Sequence, residues 1–424
     1  MENKTNTFDK EYMDSLNRLY HDNSKLTGLK WFLDTAYSWT YQKNSVPNVV
    51  ILGTAIPEEL VMAAGAEPYW FIGGSLGTVS WSDELVPRDT DAVSRSILGY
   101  INKPDGMDFS NSLFIIPLVS DSMRKIAYQL KAEGKKICLA DIPPVKSNKY
   151  ALENYQNQMK ELCAAVSAHT HTRVTKHSVI SAMKCVSMAR AALNRFLAVS
   201  RSRTDIITDS ARLFIQNSYY MTNSIDKWTY HVESLSKEIE FYAAQSKNQE
   251  YRRPAVMLAG SPVIFPNYKI PFLIRESGLA VYDTADYITL KTSIIYSRKL
   301  MYGSRDKLIE NIASEWYRQD ASSAYTKNDV LYDYISNIVK KGGIEGIVYH
   351  VLKGQTEYDF ELERIENMLA QYGIPVFRLE TDYQYQDVEQ LRIRMEAFSE
   401  MLVQNRYKID RGVQFESKEE RAAS

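Results

Sequence analysis

The run Asn48-Val-Val-Ile-Leu52 is apolar, yet too short to be a helix, and together with the residues after it this run limits the fold more than any other stretch of the chain. Gly53 breaks the run. Pro57-Glu-Glu-Leu-Val-Met-Ala-Ala64 then reads as a helix, with proline at its start and Gly65 as its stop. Pro68-Tyr-Trp-Phe-Ile72 supplies a second strand, ended by Gly73-Gly74. The unit recurs. Leu113–Pro117 is a strand, Asp121–Leu130 a helix capped by Ser120 or Asp121, and Ile137–Ala140 a strand ended by Pro143-Pro144. Strands alternating with helices imply right-handed βαβ units and a parallel sheet covered on both faces.

Before this region, residues 8–43 are helix-periodic, with Tyr12, Leu16, Leu19 and Tyr20 at helical spacing. After it, residues 150–250 carry no strand signal. Leu152, Tyr155, Met159 and Leu162, then Met183, Met188, Ala191, Leu193 and Phe196, mark a helical insert with a break near His169–Thr175. The α/β pattern returns with strands at Ala255–Ala259, Leu279–Tyr282, Gly346–Leu352 and Pro375–Leu379. Helices are expected around Tyr268–Glu276, over Tyr358–Tyr372 with Leu362, Ile365, Leu369 and Tyr372 on one face, and from about Asp387 to Gln404. The divisions are therefore 1–45 helical, 46–149 first α/β lobe, 150–250 insert, 251–384 second lobe, and 385–424 terminal helix and tail. A chain of 424 residues is too long for one core. The fold class is α/β, with two doubly wound parallel-sheet lobes whose ligands are expected at the carboxyl ends of the strands.

Charge and composition exclude several functions. A net charge of −1 gives no surplus of Lys and Arg for nucleic acid or an anionic membrane. No apolar run is long enough for a membrane span, and the polar start MENKTNTFDKEYMDSL lacks the features of a signal peptide. A cytoplasmic protein with reduced cysteines is expected. Cys138, Cys163 and Cys185 form no CxxC pair and read as core residues, with Cys138 in a central strand. His169, His171 and His177 read as exposed histidines of an inter-helix loop, with Thr175 as the next helix cap, so no metal site is expected. GxGxxG, the P-loop lysine motif, GxSxG and zinc signatures are all absent from the sequence.

Two weaker signals remain. Glu58 and Glu59 open a helix just after a strand. Either they offset the helix dipole, or one of them faces the pocket as a proton acceptor. Ser261, after Gly260, is either a plain helix cap or part of an anion site at a helix start.

Several strings resemble the 2-hydroxyacyl-CoA dehydratase D-component and benzoyl-CoA reductase family. Ile56-Pro-Glu-Glu-Leu-Val-Met-Ala-Ala-Gly-Ala66 with Glu67-Pro68 is similar to its opening motif, and Arg95-Ser-Ile-Leu-Gly99 after Pro87-Arg-Asp-Thr-Asp91 to its second. Val119-Ser-Asp-Ser-Met-Arg-Lys125 resembles the segment where the family carries Cys-Asp. Gly373–Asp382 and Gln390–Leu402 resemble its C-terminal signature. The resemblance implies two flavodoxin-like lobes and one-electron chemistry on a CoA thioester, of lyase or ring-reducing type. It implies a heterodimer, a 4Fe–4S cluster held by cysteines, and a separate ATP-dependent activator. This chain departs from the pattern at the ligands. Asp91 and Ser120 stand where two cluster cysteines would fall, and Val351-Leu-Lys-Gly-Gln-Thr-Glu357 offers no third. The expectation is a subunit that holds no cofactor itself and pairs with a cluster-bearing homologue, with Glu59 as the catalytic candidate and Ser261, Ser120 and Asp121 as substrate-binding candidates. A structural or regulatory homologue, or an acyl-CoA or small-anion binding protein, stays open.

Overall fold

A computed structural model describes residues 2–41, 46–87, 89–103, 106–245, 253–291 and 294–422. Two helices come first, α1 (Glu2–Asp22) and α2 (Leu29–Tyr41). The first lobe follows: β1 (Val49–Leu52), α3 (Glu58–Ala63), β2 (Tyr69–Phe71), α4 (Leu76–Val79), α5 (Ala92–Ile101), β3 (Leu113–Leu118), α6 (Asp121–Ala132) and β4 (Lys136–Asp141). The insert is all helical, with α7 (Ala151–Thr170), α8 (Lys176–Ser200), α9 (Asp209–Ser218) and α10 (Ile225–Gln245). The second lobe holds β5 (Ala255–Gly260), α11 (Lys269–Glu276), β6 (Ala280–Ala285), α12 (Tyr287–Lys291), α13 (Arg305–Gln319), α14 (Asp329–Lys341), β7 (Gly346–Leu352), α15 (Glu357–Ala370), β8 (Val376–Thr381) and α16 (Val388–Ala422).

Each lobe is a four-stranded parallel sheet, ordered β2-β1-β3-β4 in the first and β6-β5-β7-β8 in the second. The chain thus winds the same way twice, and each sheet reverses direction beside its first strand. That reversal opens a crevice at the carboxyl ends of β1 and β3 in one lobe and of β5 and β7 in the other. The two lobes are flavodoxin-like, as the family resemblance implies, and doubly wound, as the strand–helix alternation leads one to expect.

Burial follows the two-residue period of strands. On β5, Val256 and Leu258 join a core that runs from α1 through the first sheet, the insert and one face of the second sheet. Met257 and Ala259, with Ile347, Tyr349 and Val351 of β7, face the other way and pack with Leu331, Ile335, Leu362 and Ile365 of α14 and α15. The lobes also touch directly. Asn267 N–H donates to the Gly74 carbonyl at 3.1 Å, and a Cβ on Gly74, whose φ is +102°, would lie 2.5 Å from the Phe265 carbonyl oxygen. Only glycine satisfies both demands.

Several expectations need correction. The helical stretch over 8–43 is interrupted: Asn23 Nδ2 turns back to the Leu19 carbonyl and to Thr208 Oγ1, ending α1, and residues 42–43 lie outside the described residues. Tyr20 and Tyr372 are exposed, as are Leu152 and Met188 on the insert helices. Cys138 lies on β4, the edge strand, and is half-buried. Of the three clustered histidines only His171 is in the loop, at φ 54°, while His169 ends α7 and His177 opens α8. Thr175 does cap α8, in a reciprocal box with Ser178. No described helix is long and apolar enough to cross a membrane.

Candidate functional site

The crevice between the lobes is lined from one side by Gly53, Thr54 and Ala55 after β1, by Asp91 and Ser94 at the start of α5, and by Ser120 after β3. Tyr287, Ser322, Ser323, Gln355 and Glu357 line it from the other. The cavity holds about 40 Å³. The local folding that sets these side chains is visible in the caps. Asp91 accepts the Ser94 N–H at 3.0 Å and starts α5, and Ser120 Oγ accepts the Met123 N–H at 3.2 Å and starts α6. Asp91 and Ser120 therefore sit where the chain turns from extended to helical.

Across the crevice, Gln355 Nε2 reaches toward Asp91 Oδ1 at 3.5 Å, and the Gln355 amide oxygen is buried without a hydrogen-bond partner. Gly354, at φ +90°, lets this loop lie against the other lobe, since a Cβ there would come within 3.2 Å of the Asp91 Cα. Burial raises the Glu357 carboxyl above its usual range. The charge of Asp91 adds to that, and a hydrogen bond from Ser323 opposes it. The positions expected to match family cluster ligands, Asp91, Ser120 and the 351–357 stretch, thus meet in one crevice. Their side chains do not fit an iron–sulfur cluster, which needs thiolates. The described lining contains no cysteine, and Cys138, Cys163 and Cys185 belong to β4, α7 and α8.

The other candidate residues lie elsewhere. Asp121 is on the surface at the start of α6, its side chain 95% exposed. Ser261 is buried at the end of β5. Its hydroxyl accepts the Leu352 N–H at 3.0 Å, which ties β5 to β7. No helix starts at Ser261, because α11 begins at Lys269, so the anion site expected at a following helix is not formed there.

Glu59 is fully buried, as is Glu58, and neither borders the crevice. Both belong to a charge cluster behind its walls, whose central residue is Arg190 on α8. The guanidinium lies 2.8 Å from Glu58 Oε1 and 3.1 Å from Glu59 Oε1, and donates to the Ile294 carbonyl at 2.7 Å. Lys291 Nζ lies 3.1 Å from Glu58 Oε2 and 3.9 Å from the centre of the Trp70 ring. Tyr219 donates to Glu58, and Tyr296 and Trp316 donate to Glu59 at 2.9 and 3.1 Å. The two carboxyls differ in consequence. Burial raises both, but Lys291 and Arg190 together hold Glu58 down to about 2. Glu59 stays above the usual range, because burial, with the charge of Glu58 added to it, outweighs Arg190, a backbone hydrogen bond and the hydrogen bond from Tyr296. Burial likewise lowers Lys291 to about 8.

Arg190 and Lys291 were not singled out from the sequence. The available signal was a single charge in the apolar run Met188-Ala-Arg-Ala-Ala-Leu193, at core spacing from Val186 and Leu193.

Residues 54–402 match the family model described as 2-hydroxyglutaryl-CoA dehydratase, D-component. A relative in Escherichia coli strain K12, named as a candidate dehydratase subunit, YjiM, is 23% identical over 368 residues, covering 85% of this chain and 93% of the relative. The (R)-phenyllactyl-CoA dehydratase beta subunit of Clostridium sporogenes is 23% identical over 355 residues, covering 82% and 89%.

Proposed function

The chain belongs to the 2-hydroxyglutaryl-CoA dehydratase D-component family, and from that premise we propose that it is a subunit of a 2-hydroxyacyl-CoA dehydratase-like complex that completes a CoA-thioester pocket without holding an iron–sulfur cluster of its own. The observation that carries this reading is the meeting of Asp91, Ser120 and Gln355 at the switch-point crevice, with oxygen and amide groups where thiolates would be required. A homologous subunit would hold the cluster, and an ATP-dependent activator would serve it. The reaction would be a lyase reaction, the loss of water from a 2-hydroxyacyl thioester.

In this reading Ser120, on the crevice wall, and Asp121, exposed at the start of α6, contact the thioester. Ser261 positions the β5 and β7 ends by its bond to the Leu352 N–H. Glu59, enclosed by Arg190, Tyr296 and Trp316, is a positioning residue. It fixes the loop after β1, which supplies Gly53, Thr54 and Ala55 to the crevice. A non-catalytic structural homologue is the second reading, favoured by the close seating of Gly354 on Asp91, which leaves little free space.

Iron and acid-labile sulfide, measured on anaerobically purified protein, test the proposal. The chain alone is expected to carry neither, and the chain co-expressed with its cluster-bearing homologue is expected to co-purify with both and to dehydrate a 2-hydroxyacyl-CoA. Stoichiometric iron in the lone chain would refute the ligand assignment. A pair that forms but never turns over would favour the structural reading.

A further inference from the structure

We propose that the outer edges of the two lobes form an interface between copies of this chain, with α6 of one copy lying against α15 of another. The two helices are counterparts. α6 crosses from β3 to β4 and α15 from β7 to β8, and β4 and β8 are both edge strands. Each helix shows an aromatic side chain to solvent. Phe360 on α15 is 81% exposed and Tyr128 on α6 is 77% exposed, more than any other large apolar side chain among the described residues. Leu139 of β4 and Tyr372, just beyond α15, are exposed as well. Bare edge strands and exposed apolar side chains are what a partner surface covers. In one copy neither aromatic covers the other, since both remain exposed.

Charge identifies the occupant. The neighbours of a residue on a helix surface lie three and four places away. Tyr128 therefore stands among Arg124, Lys125 and Lys131, and Phe360 among Glu357, Glu363 and Arg364, of which Arg364 is already paired with Asp329 at 2.6 Å. Lys131, Lys136, Glu363 and Glu366 are exposed and make no ion pair among the described residues. Arg124 and Lys125 reach carboxylates only at 3.6 to 3.8 Å. The aromatic on α6 is thus set in positive charge and the one on α15 in negative charge, on a chain whose net charge is −1. Surfaces of opposite sign steer association and fix its register, and a second copy supplies the acidic face that α6 fits. Tyr128 would then meet Phe360, with Lys131 beside Glu363. The contact needs no thioester, cluster or homologous subunit, so it can fail while the proposed function holds, and the reverse.

Sedimentation equilibrium of the full-length chain, at low and at high salt, is the test. One copy weighs 48.7 kDa. Twice that mass or more is expected at low ionic strength, falling to a single copy as salt screens the charges. Lys131→Glu and Glu363→Lys, both at exposed positions, should each weaken association by about tenfold or more, with circular dichroism spectra matching the unmodified chain. Mixed in equal amounts, the two variants should associate again, because each retains the face that the other has lost. Tyr128→Ser should weaken association as well. A single-copy species at low salt, association that neither charge reversal alters, or a mixture no more associated than its two parts would overturn the proposal. So would a chain that stays single on its own and uses this face only for a cluster-bearing homologue, a pairing that Lys131→Glu would then abolish.

Discussion

Replacing Arg190 by methionine isolates the contribution of the buried charge cluster. Methionine keeps most of the side-chain volume, so the loss is chiefly electrostatic. The guanidinium is 1% exposed and serves Glu58, Glu59 and the Ile294 carbonyl together. Without it, two adjacent buried carboxyls share the single ammonium of Lys291. Breaking a buried pair by removing one partner costs about 3–5 kcal/mol, and the stranded Ile294 carbonyl adds about 1 kcal/mol. Glu59→Gln alone should cost less, about 1 kcal/mol, because it removes a charge that burial and the neighbouring Glu58 disfavour. Glu58→Gln should cost more, since that group is held ionised by two cations. In the double variant Arg190→Met with Glu59→Gln, about 2 kcal/mol of the loss should return as coupling between neighbours. Urea unfolding, followed by both circular dichroism and tryptophan fluorescence, measures each value where the two signals coincide. An unchanged midpoint for Arg190→Met, or a double variant no more stable than the single one, would refute the reasoning.

His350 provides a pH test. Burial holds it to about 4, opposed by its bond to the Ser261 carbonyl and aided by the charge of Lys269. Between pH 6.5 and 4 the unfolded chain binds a proton that the folded chain refuses, so stability falls as pH falls through that window, by about 3 kcal/mol at most. His350→Gln should flatten this slope in denaturation curves taken from pH 7 to 4; an unchanged slope would assign it to other groups. Gly354→Ala should cost about 1–3 kcal/mol, from a strained backbone and a Cβ pressed on Asp91, and equal stability of the variant would mean that the two walls are not in contact in solution. Glu59→Gln should lower turnover of the assembled complex while the chain stays folded, and unchanged turnover would leave Glu59 as a packing residue only.

The strands were legible because burial on both faces makes parallel strands into short apolar runs, and Val49–Leu52 and Gly346–Leu352 are buried throughout. β4 shows the limit of that signal. Ile137-Cys-Leu-Ala140 has the same composition, yet Leu139 is exposed, because an edge strand and a central one share a sequence pattern. Helices α13 and α14 carry too many charges to stand out, although Trp316 and Ile335 on them are buried. Asp91 and Ser120 were reached through the register of the motifs, and the caps place both beside the crevice. Gln355 and Glu357 were not singled out, since a polar residue in a loop gives no sign of what the opposite lobe brings to it. The charge cluster joins residues more than 130 positions apart, from Glu58 to Arg190, and local pattern carries no such information.

Helix α1 has a consequence for synthesis. It is made before both lobes, yet part of its binding surface belongs to the second lobe. Ser15 donates to the Pro266 carbonyl, 251 residues downstream, Tyr12 packs edge-on to Phe265, and Arg18 pairs with Glu276 at 2.5 Å. At ordinary translation speeds, those partners appear roughly 10–50 s after the helix itself. During that interval the first lobe can assemble around its own sheet, while the apolar side of α1 has only α2 and the first lobe to rest on. The nascent chain therefore holds one face of α1 without its partners until the second lobe is made, and a chaperone could cover that face in the meantime.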